Sequence, residues 1–397
     1  MRRQLFTGTL ACSVALGLLA LAPAYAGARS AATASASAIQ VGIITSKTGP
    51  LASYGAQYLE GLSVGLAYAT NGTDTVAGHK IQLAVYDDAG SPVNAVSTAK
   101  DLIGRGYKIL AGSASSGVAL QVAPLAAQNR VLFISGPAAA DKVTGINKYT
   151  FRSGRQSYQD IRTAASFIGS ARGKTITVFA QDSAFGQANV AAVTDVLGAQ
   201  GATVNSILVP PTANDFTPFA LRARQARPRL IFVAWAGTNA PAMWQSLSQQ
   251  GVFGASTVVT GLDLRASYGT YGAATANIQF LSHYFYEAPH NAANTYLINA
   301  LKRQGKVPDL FDPDGFVAGE MIARAVQQSG GGNVDAMVKA LEGWSFLAPK
   351  GQETVRASDH AMLQPMFQAQ LVKSGSSYAP RLVKTLAPGQ TAPPAKS

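Results

Sequence analysis

Three hydroxyls stand together in the stretch Ile109-Leu110-Ala111-Gly112-Ser113-Ala114-Ser115-Ser116-Gly117, between a short apolar run and a helical pattern from Val118 to Gln128. A strand, a tight turn of small residues and a helix is the unit in which an open parallel sheet offers the carboxyl end of a strand to a ligand. The helix then aims unpaired N–H groups and the positive end of its dipole at the same spot. Serine hydroxyls add donors. The turn therefore reads as a grip for a small anion, most simply a carboxylate, with Ser115 and Ser116 as its side-chain donors. A serine nucleophile is the alternative chemistry. No histidine is placed in sequence to activate Ser113, Ser115 or Ser116, and no Gly-x-Ser-x-Gly occurs.

Asp263 follows the apolar run Thr257 to Thr260, again at the carboxyl end of an expected strand. It either receives a ligand ammonium, through a charge-assisted bond worth roughly 1.5–3 kcal/mol, or caps the segment after it. Tyr54, Phe185 and Trp235 each fall near a strand-to-helix junction, where they wall an apolar or aromatic side-chain pocket or pack in the core. Asp87-Asp88 runs into Ala89-Gly90-Ser91-Pro92 and reads as a capped loop entering a helix rather than a metal or acid–base pair. His79, His283, His290 and His360 show no metal-ligand spacing and read as surface or structural residues. Gly169 to Thr175 mimics a phosphate-binding loop, but one residue is missing between its glycines and it precedes a strand, so it reads as a helix-to-strand turn.

These residues need an alternating scaffold, and the pattern supplies one. Strands are expected at Ile39 to Ile44, Lys80 to Tyr86, Ile109 to Ala111, Val131 to Ile134 and Tyr149 to Arg152, with helices at Tyr54 to Ala69, Val93 to Ile103 and Val118 to Gln128. The alternation restarts at Ile161 and runs to a strand at Thr257 to Thr260. A further strand, Gln279 to Tyr286, is expected to return the chain to the first half, and helices then precede late strands at Met362 to Val372 and Ala379 to Leu386. Strands alternating with helices of this length give α/β architecture, here two similar lobes joined by more than one crossing as a hinged clamshell. The expected division is 39–155 and 282–360 for lobe 1, 156–281 and 361–386 for lobe 2, and a disordered Pro/Ala-rich tail, 387–397. Ligand pockets favour such interfaces, and closure is the expected motion.

With 397 residues, 47% apolar and only 13% charged, the chain is long and apolar enough for two globular domains. Arg2 and Arg3, the apolar core Leu10 to Leu21 and Ala24-Tyr25-Ala26 form a cleavable secretory signal over residues 1–26. The single cysteine, Cys12, leaves with it, so no disulfide or thiol chemistry is expected. The net charge of +12 becomes +10 without Arg2 and Arg3 (12 − 2), but its cations are spread thinly. That distribution argues against a nucleic-acid partner. No cofactor and no metal are expected.

The motifs that follow carry a resemblance. Val41-Gly42-Ile43-Ile44, Thr48-Gly49-Pro50-Leu51-Ala52-Ser53-Tyr54-Gly55, Glu60-Gly61, Asn71-Gly72, Tyr86-Asp87-Asp88-Ala89 and Asp182-Ser183-Ala184-Phe185-Gly186 stand at family spacing. From about Ile39 to Val383 the chain resembles the periplasmic solute-binding proteins of ABC importers, branched-chain amino acid type. The resemblance implies a periplasmic binding protein type I fold, α/β, of two Rossmann-like lobes with three interlobe crossings and a cleft between them. It also implies a monomeric, non-enzymatic receptor that meets the membrane only through its permease and holds a small carboxylated ligand. Ser116 matches the serine on the ligand carboxylate, Ala138 the residue giving a backbone contact, and Asp263 the acidic residue on the ammonium. Tyr54 and Phe185 match pocket aromatics. Ala139 falls where amino-acid binders carry a threonine, and Asn239 or Thr238 where they carry a tyrosine. Those two departures remove partners of an amino-acid head group. A buried ammonium short of partners is unfavourable, which admits an aromatic acid or amide as the alternative guest, or a sensory role.

Overall fold

The computed structural model describes residues 38–396, so the expected signal and Cys12 lie outside the described residues. The first half runs β1 (Ile39–Thr45), α1 (Ala52–Ala69), β2 (Thr75–Val76), β3 (His79–Asp87), α2 (Pro92–Gly104), β4 (Ile109–Ala111), α3 (Ser116–Gln128), β5 (Leu132–Ser135) and β6 (Thr150–Arg152). Their sheet has the order β2-β3-β1-β4-β5-β6, parallel except for the β2–β3 hairpin. Alternate residues of each strand feed opposite layers, as the pleat requires. Val41, Ile43, Ile109 and Ile134 pack toward α1, whereas Ile44, Leu110 and Phe133 pack toward α2 and α3. Burial on both faces explains why these strands are continuous apolar runs.

The chain then crosses through 153–156 into α4 (Ser157–Ile168), β7 (Thr175–Gln181), α5 (Ala184–Val193), β8 (Thr203–Val209), α6 (Thr217–Gln225), β9 (Leu230–Ala234), α7 (Ala240–Gln249), α8 (Val252–Ala255), β10 (Thr257–Gly261) and β11 (Ile278–Ser282). It returns through α9 (Ala292–Lys302), α10 (Asp312–Ser329), α11 (Val334–Leu341), β12 (Ser345–Ala348), β13 (Gly351–Val355) and β14 (Met362–Leu363). It ends with β15 (Met366–Ser374), β16 (Ser377–Leu386) and α12 (Pro388–Thr391). The second sheet has the order β16-β15-β11-β10-β9-β7-β8.

Three expectations change. The strand expected over Gln279 to Tyr286 ends at Ser282 and pairs with β10 and β15 inside the second sheet, so the return begins only after it. β14 pairs with β13, whose hairpin packs on the first core, so the last crossing falls at Gln364 and Pro365 rather than at residue 361. Residues 387–396 are not a disordered tail. Arg356, paired with Asp359, donates to the carbonyls of Pro393 (2.7 Å) and Pro394 (3.2 Å), and Lys396 Nζ donates to the carbonyls of Asp141 and Thr144. Low-complexity composition could not reveal that partners elsewhere satisfy this backbone.

α10 is buried along most of its length and lies against α1. Beside it, Lys350 Nζ donates to Asp314 Oδ1 at 2.6 Å and to Gln364 Oε1. Both carboxyl oxygens of buried Glu353 lack a partner among the described residues. Burial pushes the Glu353 carboxyl up to about 8, offset by Lys350. The folded value lies above the unfolded one, so the protonated form stabilises the fold below about pH 4.5, and that contribution is lost as pH rises to about 8. Glu353→Gln is expected to flatten this decline. Denaturant midpoints across pH 5–8 read the difference between the two proteins, and parallel curves would remove the assignment.

Candidate functional site

The carboxyl ends of the parallel strands of both sheets face one cavity of about 610 Å³. Tyr54, Ser115, Ser116, Ala139, Phe185, Trp235, Asn239 and Asp263 line it; Ala138 does not. Each lining residue follows a strand or opens the next helix, because the direction change at a parallel strand's end leaves the backbone and its side chains facing outward.

On the first lobe the turn after β4 divides its labour. Buried Asp88 accepts from Ser46 Oγ at 2.7 Å and from Ser113 Oγ at 2.5 Å, which locks the turn beneath the cavity. Asp87 accepts the Lys47, Thr48 and Ala89 N–H groups. The hydroxyl of Thr48 and these amides hold its carboxyl down at about 2. The two aspartates thus brace loops. Ser115 Oγ caps α3 by accepting the Val118 N–H at 3.4 Å, and like any accepting hydroxyl it keeps its own hydrogen to donate. Ser116 Oγ accepts the Ala140 N–H at 3.2 Å and is 4% exposed. Having accepted there, it still has a hydrogen to donate into the cavity. The first N–H groups of α3 open beside it.

Two of the assigned residues already make hydrogen bonds within the protein. The Ala138 N–H donates to the Ser113 carbonyl at 3.2 Å. Asn239 Oδ1 accepts from Trp235 Nε1 at 2.9 Å. That bond orients the indole, which also stands edge-on to Phe216 at 5.4 Å, and does not involve the Asn239 amide hydrogens. Ala139 offers its methyl group, since its carbonyl accepts from the Ser157 N–H and hydroxyl.

On the second lobe Asp263 Oδ1 accepts from Tyr54 Oη at 3.0 Å, and the Gly237 N–H donates to the same phenol oxygen at 3.3 Å. Tyr54 opens α1 of the first lobe, so one phenol ties the lobes across the cavity. Burial raises the Asp263 carboxyl above the usual carboxylate range, with the Leu264 N–H, Tyr54 and Ser267 opposing.

Sequence reasoning missed Arg155, Asp160, His283 and Phe311, all of which line the cavity. Arg155 Nη1 donates to the Pro137 carbonyl at 2.8 Å, and Nε lies 3.3 Å from Asp160 Oδ2, outside hydrogen-bond geometry. Burial raises the Asp160 carboxyl to about 6 against the pull of Arg155. Phe311 packs at 4.7 Å from the Tyr54 ring and 5.2 Å from the His283 ring. His283, expected on the surface or in a structural role, stands in the cavity wall directly after β11. The expected strand ran on to Tyr286, so His283 stood inside it and the rule that picked out Asp263, a polar residue just past a strand's carboxyl end, did not reach it. His360, by contrast, is structural: it stacks on Phe151 at 3.8 Å.

A family model described as periplasmic binding protein matches residues 38–376. A Leu/Ile/Val-binding protein homologue of Brucella melitensis is 25% identical over 322 residues, which cover 80% of this chain and 87% of the relative. Among solved structures, an ABC-type branched-chain amino acid transporter protein of Rhodopseudomonas palustris CGA009 is similar at 33% identity and TM-score 0.74, covering 89% of this chain and 97% of that one. A solute-binding protein of R. palustris BisB5, in complex with 3,4-dihydroxybenzoic acid, shares the fold at 24% identity and TM-score 0.77, covering 88% and 97%.

Proposed function

The chain belongs to the periplasmic binding protein family, and from that premise we propose that it is the extracytoplasmic solute receptor of an ABC importer. It traps a small carboxylated guest between its lobes and presents the closed form to a permease. The observation that carries this reading is the polarity of the cavity. Donors and a cation stand on the first lobe at Ser116, the start of α3 and Arg155, and a carboxylate stands on the second at Asp263. A guest that bridges the two walls binds the closed form better than the open one, and that difference shifts the hinge equilibrium. The reading is non-enzymatic: the site receives and releases its guest unchanged.

An amino acid is the first candidate guest, because Asp263 can take its ammonium. An ammonium-free aromatic acid is the second. The methyl group of Ala139 and the bond of Asn239 Oδ1 to Trp235 favour it, since they leave an ammonium fewer partners.

Calorimetric titration with amino acids and aromatic acids tests the reading, and the absence of binding by any carboxylate would overturn it. Ser116→Ala is expected to weaken every carboxylated guest by roughly tenfold, the worth of one hydrogen bond to a charged group. Unchanged affinity would remove the anchor. Asp263→Asn is expected to weaken guests carrying an ammonium by a similar factor, roughly tenfold, and to spare ammonium-free acids. Equal loss for both would remove that role.

A further inference from the structure

The segment 387–396 leaves β16 of the second sheet and is held by both lobes. On the second lobe α12 packs against α4, whose Arg162 Nη2 donates to the Gln390 carbonyl at 3.4 Å, and Thr391 is buried. On the first lobe the loop between β13 and β14 takes the next residues. Its Arg356 donates to the Pro393 and Pro394 carbonyls, and its Asp359 Oδ2 accepts the Lys396 N–H at 3.0 Å. Lys396 Nζ then donates to the carbonyls of Asp141 at 2.8 Å and Thr144 at 2.6 Å.

Asp141 and Thr144 are also the residues that grip the first crossing, 153–156. Asp141 Oδ1 accepts from Gln156 Nε2 at 2.6 Å and from the Tyr158 N–H at 3.0 Å, and Thr144 Oγ1 donates to Gln156 Oε1 at 2.7 Å. Just before Asp141, Ala139 lines the cavity and the Ala140 N–H donates to Ser116 Oγ. One ammonium thus fixes the backbone of a short segment whose side chains hold the crossing and whose start forms cavity wall. Hydrogen bonds from an ammonium are stronger than neutral ones, and Pro393 and Pro394 already have φ set by their rings.

We propose that residues 387–396 are a strap across the hinge, with Lys396 as its pin. Tyr54 and Asp263 tie the lobes over the cavity, and the strap is engaged at both ends in that same arrangement. Opening turns one lobe against the other through backbone changes in the crossings. A segment bonded to both lobes, and to the residues that grip Gln156, resists that turn. It favours the closed form and adds a non-covalent link to the covalent crossings. The inference takes its motion from the hinged-receptor reading, and its test uses no guest.

Pulsed electron paramagnetic resonance tests it, with spin labels on Ser97→Cys in α2 and Gln245→Cys in α7, two exposed positions on opposite lobes. The parent is compared with Lys396→Met and with a chain ending at Thr391, which keeps α12 and loses the first-lobe half of the strap. Lys148→Met, which removes a surface pair with Asp335 inside the first lobe, is the control. Lys396→Met is expected to move the ratio of open to closed separations about tenfold toward open, the worth of one hydrogen bond to a charged group lost from one of two states. The shortened chain is expected to move it at least as far, and the control not at all. Lys396 is exposed, so its variant carries the test even where the shortened chain melts early. Separations in Lys396→Met that match the parent overturn the strap, and so does an equal shift in the control. Either result leaves the receptor reading standing, since that reading falls only if the calorimetric titrations show no carboxylate binding.

Discussion

Gly61→Ala is expected to lower the stability of the protein by about 3 kcal/mol, the upper range for an overpacked core. A methyl on Gly61 would lie 1.8 Å from the carbonyl oxygen of Asp312, and one on Gly65 would lie 2.0 Å from that of Phe316. Across the contact, Gly315 would meet the carbonyl of Tyr58 at 2.0 Å and Gly319 the N–H of Leu66 at 2.4 Å. The two helices thus meet through paired glycines four residues apart, Gly61 and Gly65 on α1 against Gly315 and Gly319 on α10. The obstructing atoms are backbone, so no side chain can swing aside, and one helix must move as a body. α1 also carries Tyr54 into the cavity, so its displacement would loosen the bond to Asp263 as well. Gly104→Ala in α2 is the control. Nothing lies within 4 Å of its Cβ position, and the gain in helix propensity predicts a change of the opposite sign, up to about 1 kcal/mol. Guanidinium midpoints for both variants decide the matter, and a Gly61→Ala protein as stable as the parent would show that the helix contact yields.

The same contact marks where sequence legibility stops. Glu60-Gly61 was readable as a motif, but nothing local says that a helix some 250 residues away will press on Gly61. What was legible followed from periodicity and strand ends. The run Ile109-Leu110-Ala111 is a buried parallel strand, and Ser116, Tyr54, Phe185 and Asp263 lie at junctions that a parallel sheet turns toward one gap. The hairpin β12–β13 was invisible because Ser345, Gln352, Glu353 and Thr354 interrupt its apolar pattern, and Glu353 is buried against expectation for a carboxylate. Ala138 and Asn239 were assigned from a resemblance, and such matching cannot see that the Ala138 N–H and the Asn239 Oδ1 already have partners. Arg155 belongs to no motif. It follows β6, the edge strand, and only the fold shows that this edge borders the cavity.

Arg155→Met is expected to carry the second large effect, on binding and stability together. Arg155 is 8% exposed, donates to the Pro137 carbonyl and forms an ion pair with Asp160. Removing one member of a buried pair costs about 3–5 kcal/mol when the remaining charge stays buried. Here the loss is expected toward about 3 kcal/mol, because Asp160, already raised to about 6 by burial, can take a proton once Arg155 is gone. Stability alone would not distinguish an anchor from a strut. The double variant Arg155→Met with Asp160→Asn separates them, since it removes both charges and leaves groups of similar volume. It is expected to recover most of the lost stability while a carboxylated guest still binds at least about a hundredfold more weakly than to the parent, the worth of a charge-assisted contact out of water. Denaturant midpoints and calorimetric affinities on the same samples give both readings. Recovery of affinity together with stability would make Arg155 a strut for the crossing at 153–156, and the carboxylate would then rest on Ser116 and the start of α3 alone.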